Sequence, residues 1–516
     1  MQLERSAGVL LHITSLPAEF SRRNETAKAR DFGVGDIGPA ARQFVDLLNA
    51  AGQKVWQVLP LGPTALGDSP YSCYSAFAGN PLLISIDDMV EDGFVTSAEV
   101  EDEFEIVSTS GSVGLADYDF ARQVKLKLLS LAFTRFRESA KCAAVDEFEA
   151  FCVTNRSWLD DYALFAALRE HFGNDNWCEW ESGLANRELD SLNEWRENLT
   201  KEVEFAQFVQ YLFFQQWDRL AAHANGKGIL FFGDMPIFVA YGSADVWANQ
   251  DRFQLNSKGR PTHVAGVPPD YFSKTGQLWG NPLYNWDAME DAGYRWWVQR
   301  LQSAFEQFDL LRIDHFRGFE AYWSVPARNK TAVGGEWVKG PGTGPFDAAQ
   351  KSLGTLEIVA EDLGLITEEV HQLREELEFP GMRVLQFGFD NDHDEFHRPN
   401  SYPENSVAYT GTHDNSTIIS WYRSGTANKK RCELLEPWLE QQDQDLRLHQ
   451  QLLSMVYASD ARLAIAPMQD ILGLDDKARM NLPGTAEGNW RWRLQKHDFD
   501  NEAVEQLAKL TRDSNR

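Results

Sequence analysis

The stretch LLRIDHFRGF, residues 310–319, begins as an apolar run and then carries four charged or ionisable side chains within six positions. Side chains two positions apart in a strand lie on the same face, so Arg312 and Asp314 are expected to project together. A guanidinium beside Asp314 would hold this carboxyl group ionised at neutral pH. A buried Arg–Asp pair that only ties strands together is the alternative interpretation.

Seven other short apolar runs also end in polar residues or in Gly and Pro, which is typical of buried parallel strands. Helical patterns separate the runs, for example where Pro39 lies in a first turn and Gly52 follows the helix end. Strands that alternate with helices predict an α/β fold, a (β/α)8 barrel whose active site lies at the C-terminal ends of the strands. The eight runs cover residues 8–17, 54–64, 228–238, 309–316, 356–364, 381–389, 406–415 and 462–473.

Two gaps between these runs are too long for simple crossovers. Residues 88–227 are mostly helix-patterned and predict a helical inserted subdomain. Residues 240–287 are rich in aromatic residues, Gly and Pro, and predict an inserted loop region at the active site. A long loop inside a compact domain is usually functional.

The composition excludes several classes of function. A formal net charge of −28 repels phosphate backbones and anionic membranes, so a neutral substrate is expected and a nucleic-acid or membrane partner is not. No stretch approaches the roughly 20 apolar residues of a membrane span, and the first residues show no signal-peptide pattern. Five scattered cysteines without a CxxC motif argue against disulfides and zinc, and predict a cytoplasmic protein.

Two motifs resemble ligand-binding sites, but the residues within or around them do not support a nucleotide site or a calcium site. GVGDIG, residues 33–38, matches a dinucleotide-binding fingerprint, yet the sequence before it has no strand pattern. DNDHDE, residues 390–395, resembles a calcium loop, but Glu395 stands where the turn requires glycine. We therefore expect no cofactor and no metal.

Carboxylates follow two other predicted strands. Glu361 and Asp362 end one run, and His413 and Asp414 end another. If the barrel closes, these groups and Asp314 meet at one mouth, where burial and mutual repulsion can separate their pKa values. Glycosidic-bond chemistry requires such a pair, one ionised carboxylate and one protonated carboxyl group. Each group alone could instead be a helix cap or a solvated loop end.

Aromatic residues in the predicted loop favour a sugar substrate. Trp279, Tyr271 and Phe272 lie among Gly and Pro residues, where no helical or strand face explains their burial. Flat apolar rings are suitable platforms for the C–H faces of sugars. The alternative is a loop folded upon its own aromatic side chains.

Several longer motifs, spread over nearly the whole chain, carry a family resemblance. The sequence resembles the 4-α-glucanotransferases, also called amylomaltases or disproportionating enzymes. The motifs are GDSPYSCYSAFAGNP (67–81), GDMPIFV (233–239), GQLWGNPLY (276–284), RIDHFRGF (312–319), AEDLG (360–364), GTHDN (411–415) and RMNLPGT (479–485).

This resemblance implies one catalytic domain over residues 1–516, with the barrel of the α-amylase clan, inserted subdomains and no separate C-terminal β domain. It implies that Asp314 is the nucleophile, Glu361 the general acid/base and Asp414 the transition-state stabiliser. It further implies a loop around Tyr271 and Phe272 that covers the bound glucan. The positions implied to line the sugar subsites are Ser69, Tyr71, Asp234, Trp279, Asn281, Arg312, His413 and Asn481.

The implied activity is transfer of α-1,4-glucan segments to the 4-hydroxyl of glucose or of another glucan, with retention, through a covalent glycosyl–enzyme. The expected partners are maltooligosaccharides and glucans from starch or glycogen, and the expected protein is a monomer or weak oligomer. One alternative is a hydrolase with the same carboxylates and water as acceptor, and another is a non-catalytic glucan-binding scaffold. An aromatic lid that excludes water favours the transferase. Cys73 and Tyr74 are departures from the family pattern.

Overall fold

Twelve strands lie within the part of the chain that a computed structural model describes, residues 4–20, 30–107, 114–139, 142–269, 273–390, 394–424, 428–485 and 487–516. In chain order they are β1 (Ser6–Leu10), β2 (Val55–Gln57), β3 (Leu230–Pro236), β4 (His263–Val267), β5 (Gln277–Pro282), β6 (Leu310–Asp314), β7 (Ala321–Pro326), β8 (Glu336–Lys339), β9 (Ile358–Ala360), β10 (Gly381–Val384), β11 (Ser406–Tyr409) and β12 (Leu463–Pro467). They form two separate sheets.

Helices fill most of the chain between these strands. In the described residues they are α1 (Pro39–Ala50), α2 (Ile86–Glu91), α3 (Ser97–Val107), α4 (Tyr118–Ser139), α5 (Cys142–Thr154), α6 (Arg156–Phe172), α7 (Ser182–Ala185), α8 (Leu189–Asn198), α9 (Thr200–Gly226), α10 (Ala244–Ala248), α11 (Trp286–Asp291), α12 (Arg295–Gln307), α13 (Gly344–Leu353), α14 (Glu368–Glu376), α15 (Leu385–Gly388), α16 (Ile418–Arg423), α17 (Asn428–Leu439), α18 (Leu448–Ala458), α19 (Met468–Ile471) and α20 (Asn501–Asp513). None of these described helices is long and apolar enough to cross a membrane.

Eight strands close into a parallel barrel in the order β1-β12-β11-β10-β9-β6-β3-β2. Each of the eight predicted apolar runs overlaps one of these strands, β1 beginning two residues before its run, so the (β/α)8 prediction is confirmed. All residues of β1 and β12 are buried, because a barrel strand packs inward against side chains and outward against helices. The register of β3 and β6 places Asp234 beside Arg312 and Pro236 beside Asp314 at the barrel mouth.

A second, antiparallel sheet stands over the mouth in the order β5-β4-β7-β8. Residues 240–287, predicted to be loop-like, contain β4, β5 and two short helices, and are therefore not irregular throughout. The pattern was hidden because most of β5 is exposed and because β7 and β8 complete the sheet from residues 321–339. The limits of an inserted region remain a prediction, and Tyr271 and Phe272 lie outside the described residues.

Helices α2 to α9 occupy the stretch between β2 and β3. The long helix α9 joins them to the barrel, where the ring of Trp217 lies 4.7 Å from that of Phe231 in β3. The same helical layer reaches the mouth, because Trp177 donates through Nε1 to the carbonyl of Tyr241 at 2.9 Å. The subdomain limits 88–227 remain a prediction.

Candidate active site

Four carboxyl groups meet at the C-terminal ends of neighbouring barrel strands. Asp234 lies in β3, Asp314 ends β6, Glu361 directly follows β9, and Asp414 lies in the loop after β11. Their proximity shows in their mutual influence, because the other three charges all raise the pKa of Asp314. The structure therefore brings Asp314, Glu361 and Asp414, predicted from the strand ends, to one place.

A single buried arginine neutralises two of these carboxylates. Arg312 is 5% exposed and donates through Nη1 to Asp234 Oδ2 at 2.5 Å and through Nη2 to Asp314 Oδ1 at 2.7 Å. The hydroxyl of Tyr71 donates to the same Asp234 oxygen at 2.7 Å. Because Arg312 and Asp314 are two positions apart in β6, the strand itself sets their common direction, as the sequence predicted.

Backbone N–H groups hold Glu361 on the other side of Asp314. The N–H of His315 donates to Glu361 Oε2 at 2.7 Å, and the N–H of Leu363 donates to Oε1 at 2.9 Å. His315 has a φ of 55°, a left-handed conformation that is strained for a residue with a side chain. This local strain directs the His315 N–H group at the carboxylate.

Asp414 is the most open member of the group, with its side chain 45% exposed. Asn481 donates through Nδ2 to Asp414 Oδ1 at 2.6 Å, and His413 Nε2 lies 3.3 Å from the same oxygen. Desolvation lowers the pKa of His413, whose ring stacks on Tyr71 at 5.1 Å between ring centres. His413 is therefore a neutral imidazole that joins Asp414 to the Tyr71 side of the mouth.

The electrostatics of the mouth favour retention of a proton. Desolvation raises the pKa of Asp314 and that of Glu361, and Arg312 opposes both shifts. The two carboxyl groups titrate as a coupled pair, because ionisation of one makes ionisation of the other less favourable. The pair therefore keeps one proton above the pH at which isolated carboxyl groups are fully ionised, which separates an acid from a base.

Three of the predicted sugar-binding residues lie at the edge of this arrangement. Trp279 in β5 is 38% exposed, and its ring lies 4.8 Å from that of His315. Asn281 donates through Nδ2 to the carbonyl of Val239 at 3.0 Å, and Ser69 Oγ accepts from the Tyr71 N–H at 3.3 Å. The polar contacts of Asn281 and Ser69 are thus made to backbone, and their contact with a sugar remains a prediction.

The two departures from the family pattern have structural partners. The Cys73 thiol donates to the carbonyl of Pro70 at 3.1 Å, and burial raises its pKa to about 12. Tyr74 lies under the guanidinium of Arg169, 3.9 Å from the ring centre, and its hydroxyl donates to Asp175 at 3.3 Å. Cys73 is therefore an unreactive thiol, and Tyr74 joins the mouth loop to the helical layer.

Asp362 belongs to the support of the site. Its Oδ1 accepts from the Met382 N–H at 2.7 Å, and Arg374 and Arg383 lie 3.3 Å and 3.6 Å from its Oδ2. These contacts fix the end of β9 to β10 and α14, and Asp362 thereby holds the start of the loop that contains Glu361.

Sequence reasoning missed two groups beside the mouth. His12, two residues after the end of β1, is buried, and desolvation together with His413 lowers its pKa to about 3. Its position at a strand end is the signal that could have revealed it. The backbone N–H of His315 had no such signal, because a left-handed φ cannot be predicted from the residue type.

Among the described residues, no group of three or more His, Cys, Asp or Glu side chains could hold a metal ion.

Sequence comparison places the chain among known proteins. The 4-alpha-glucanotransferase family model matches residues 12–498. The 4-alpha-glucanotransferase of Thermus thermophilus is 47% identical over 498 residues, which are 96% of this chain and 95% of that protein. The 4-alpha-glucanotransferase of Synechocystis sp. is 46% identical over 495 residues, 95% of this chain and 94% of the relative.

Structural comparison agrees. The amylomaltase of Streptococcus agalactiae, solved in complex with acarbose, superposes with a TM-score of 0.91 at 37% identity, covering 99% of this chain and all of the other. The amylomaltase of Corynebacterium glutamicum, at 20% identity and a TM-score of 0.76 over 98% of this chain and 75% of that chain, shows the same fold. The chain therefore belongs to the 4-alpha-glucanotransferase family of glycosyl-transferring enzymes.

Proposed function

We propose that this enzyme transfers α-1,4-glucan segments from a donor glucan to the 4-hydroxyl of glucose or of another glucan, with retention at the anomeric carbon. The observation that carries the proposal is the pairing of Asp314 with Arg312 at 2.7 Å, beside a second carboxyl group, Glu361, whose pKa is raised by desolvation. One ionised and one protonated carboxyl group are the two requirements of a retaining double displacement. The solved relative in complex with acarbose supports a sugar ligand.

In the first step, Asp314 attacks the anomeric carbon and the bond to the leaving oxygen breaks. Arg312 donates directly to Asp314 and favours its carboxylate form, and we therefore assign the shared proton to Glu361. Glu361 gives that proton to the departing oxygen, and the shortened glucan leaves with a free 4-hydroxyl. The donor segment remains as a covalent glycosyl–enzyme on Asp314.

In the second step, an acceptor glucan enters the position of the leaving group. Glu361, now ionised, takes the proton of the acceptor 4-hydroxyl while its oxygen attacks the anomeric carbon. The bond to Asp314 breaks, and the original configuration is restored by the second inversion. One glycosidic bond has been broken and one made, so the number of reducing ends does not change.

Asp414 and the groups around it act on the sugar ring in this scheme. The carboxylate of Asp414 would accept hydroxyl hydrogens of the distorted ring, and Asn481 and His413 would fix its position. Tyr71 and Arg312 both donate to Asp234, and these three side chains would line one side of the sugar site.

The remaining assignments concern the approach to the ring. Trp279 would stack on a sugar beyond Glu361, and Ser69 and Asn281 would line neighbouring subsites. Tyr271 and Phe272 would cover the glucan and exclude water, which favours a sugar acceptor over hydrolysis.

The wider setting is also proposed. The enzyme would act on maltooligosaccharides and on glucans derived from starch or glycogen, as a monomer or weak oligomer in the cytoplasm. The relative from Solanum tuberosum, 42% identical, is named as chloroplastic or amyloplastic.

Incubation with maltotriose tests the proposal. Transfer predicts glucose and longer maltooligosaccharides at a nearly constant number of reducing ends. A rise in reducing ends that matches the glucose released would assign the enzyme to hydrolysis instead. No conversion of a glucan by folded protein would contradict both activities.

A further inference from the structure

Two tryptophans stand out among the seventeen of the chain. Trp279 and Trp337 are the most exposed, at 38% and 41%, whereas most of the others are buried or packed against the core. Both belong to edge strands of the antiparallel sheet, Trp279 to β5 and Trp337 to β8. Exposed rings at the sheet edges are available to a ligand. Trp279 is assigned to a sugar in the proposed function, whereas Trp337 has no assigned ligand.

The strand β8 holds Trp337 in a fixed position relative to the catalytic strand. Trp337 pairs with Trp323 of β7, and the ring centres lie 5.2 Å apart. Just beyond β8, the N–H of Gly340 donates to the carbonyl of Glu320 at 2.6 Å. Glu320 follows Asp314 by only six residues, so β8 is attached directly to the segment that leaves the nucleophile.

A buried cation orients the Trp337 ring. The guanidinium carbon of Arg317 lies 3.8 Å from the ring centre, while Arg317 itself is only 6% exposed. Arg317 donates through Nη1 to the carbonyl of Leu365, and its Nε has no hydrogen-bond partner among the described residues. Burial of a charge is unfavourable unless its contacts compensate. This contact holds the ring rigid beside the loop that follows Glu361.

The rings of Trp337 and Trp279 lie in different surroundings. Leu278 of β5 lies opposite Gly266, which lies opposite Trp323 and then Trp337, so Leu278 and Trp337 share a face of the sheet. The register of β5 becomes irregular just beyond Leu278, and the two rings have different neighbours, His315 for Trp279 and Arg317 for Trp337. His315 directly follows Asp314 and Arg317 is three residues beyond it, so we expect a glucan in the mouth to reach Trp337 only if it extends past Trp279.

We propose that Trp337 is a remote acceptor-side subsite, on which a sugar ring of a long α-1,4-glucan stacks after the chain passes Glu361 and the exposed Leu365. This inference rests on the proposed function. The acceptor side is inferred from Leu365, which is 55% exposed, lies four residues beyond the proposed proton donor and accepts through its carbonyl from Arg317, the residue that contacts the Trp337 ring. A rigid, exposed indole with a neutral apolar face is suited to the C–H face of a sugar.

Chain-length dependence tests this subsite. The variants Trp337→Ala and Trp337→Leu remove the flat ring, and the leucine keeps an apolar side chain over Arg317. For both, the ratio of kcat/KM with long maltooligosaccharides to kcat/KM with maltotriose should fall about tenfold, the factor that a lost contact of about 1.4 kcal/mol gives. The fall should be in KM rather than kcat, and Trp337→Phe should recover most of it.

Phe396→Ala is the matched control. Phe396 is 40% exposed and stacks on a buried arginine, Arg383, at 3.6 Å, but it belongs to the loop after β10. This variant should keep the wild-type ratio. An unchanged ratio in folded Trp337→Leu, or an equal fall for long and short substrates, would overturn the inference.

A binding measurement separates this inference from the proposed function. In native gels cast with glycogen, Trp337→Ala should be retarded less than the wild type, and Phe396→Ala should be retarded equally. If wild-type protein fails to lengthen maltotriose, the proposed function fails whatever the gels show. If wild-type protein lengthens maltotriose but Trp337→Ala matches it in the gels, only the remote subsite fails. A Trp337 variant that changes only the oligomeric state would identify a protein contact and also overturn the subsite.

Discussion

Replacing Arg312 by glutamine should move the pH dependence of transfer to higher pH. Arg312 donates to Asp314 at 2.7 Å and lowers the pKa of both Asp314 and Glu361. A hydrogen bond to a charged group contributes about 1.5–3 kcal/mol, which corresponds to about one to two pKa units. Loss of the guanidinium removes a stabiliser of the ionised form, so the pKa of Asp314 rises and its carboxylate forms only at higher pH.

The measurement is kcat/KM for maltotriose across the pH range in which both proteins stay folded. The acidic limb of the profile reports ionisation of the essential base in the free enzyme. In Arg312→Gln this limb should shift to higher pH by about one to two units. At a pH below the limb, kcat/KM should therefore fall about 10- to 100-fold relative to the wild type. Activity should return as the pH is raised.

Arg42→Gln is the matched control, because Arg42 also donates to a buried carboxylate, Asp88 at 2.8 Å, but joins α1 to α2 and lies at no strand end. It should lower the free energy of unfolding and leave both limbs of the profile in place. An acidic limb that stays fixed in Arg312→Gln, or moves to lower pH, would refute the assigned role of Arg312.

Two other outcomes are expected. Desolvation raises the pKa of Asp470 from 3.8 to about 6, so the folded state binds this proton more tightly and loses about 3 kcal/mol of stability as the pH rises through that interval. Asp470→Asn can keep the contact from the Ile418 N–H, and a melting curve series should show a flatter pH dependence than wild type; an unchanged slope would contradict this assignment. Activity should survive exhaustive chelation, and a loss that calcium restores would reveal a metal requirement.

The barrel was predictable because its strands are buried on both faces. Such strands appear in the sequence as short continuous apolar runs, and each of the eight predicted runs overlaps a barrel strand. The carboxylates at the strand ends were equally predictable, because Asp314, Glu361 and Asp414 each lie at the polar end of an apolar run. A charge at that position has few structural explanations once the barrel is assumed.

The antiparallel sheet was hidden for a physical reason. Most of β5 is exposed, and its sequence QLWGNP shows no apolar alternation. Its neighbours in the sheet include strands from residues 321–339, and pairing over such a distance leaves no local pattern. The exposure of Trp337 and its contact with Arg317 could therefore be found only in the folded chain.

The backbone conformation determines contacts of the site that the residue types alone do not predict. The N–H of His315 binds Glu361 because the residue adopts a left-handed φ of 55°. Nothing in the residue type predicts this conformation, which the surrounding fold imposes. The motifs of Asn281 and Ser69 predict sugar contacts, which stay predictions, and the structure adds a backbone contact for each, to the carbonyl of Val239 and from the N–H of Tyr71.

Covalent labelling with an α-glucosyl fluoride tests the central claim most directly. Fluoride needs little protonation to leave, so Glu361→Gln should still form the glycosyl–enzyme and then stall, because no base activates the acceptor. Mass spectrometry of the quenched variant should find the sugar on the peptide that contains Asp314. Asp314→Asn should neither be labelled nor turn over the fluoride. Label on Glu361 or Asp414, or substantial activity in Asp314→Asn, would contradict the assignment of Asp314 as the nucleophile.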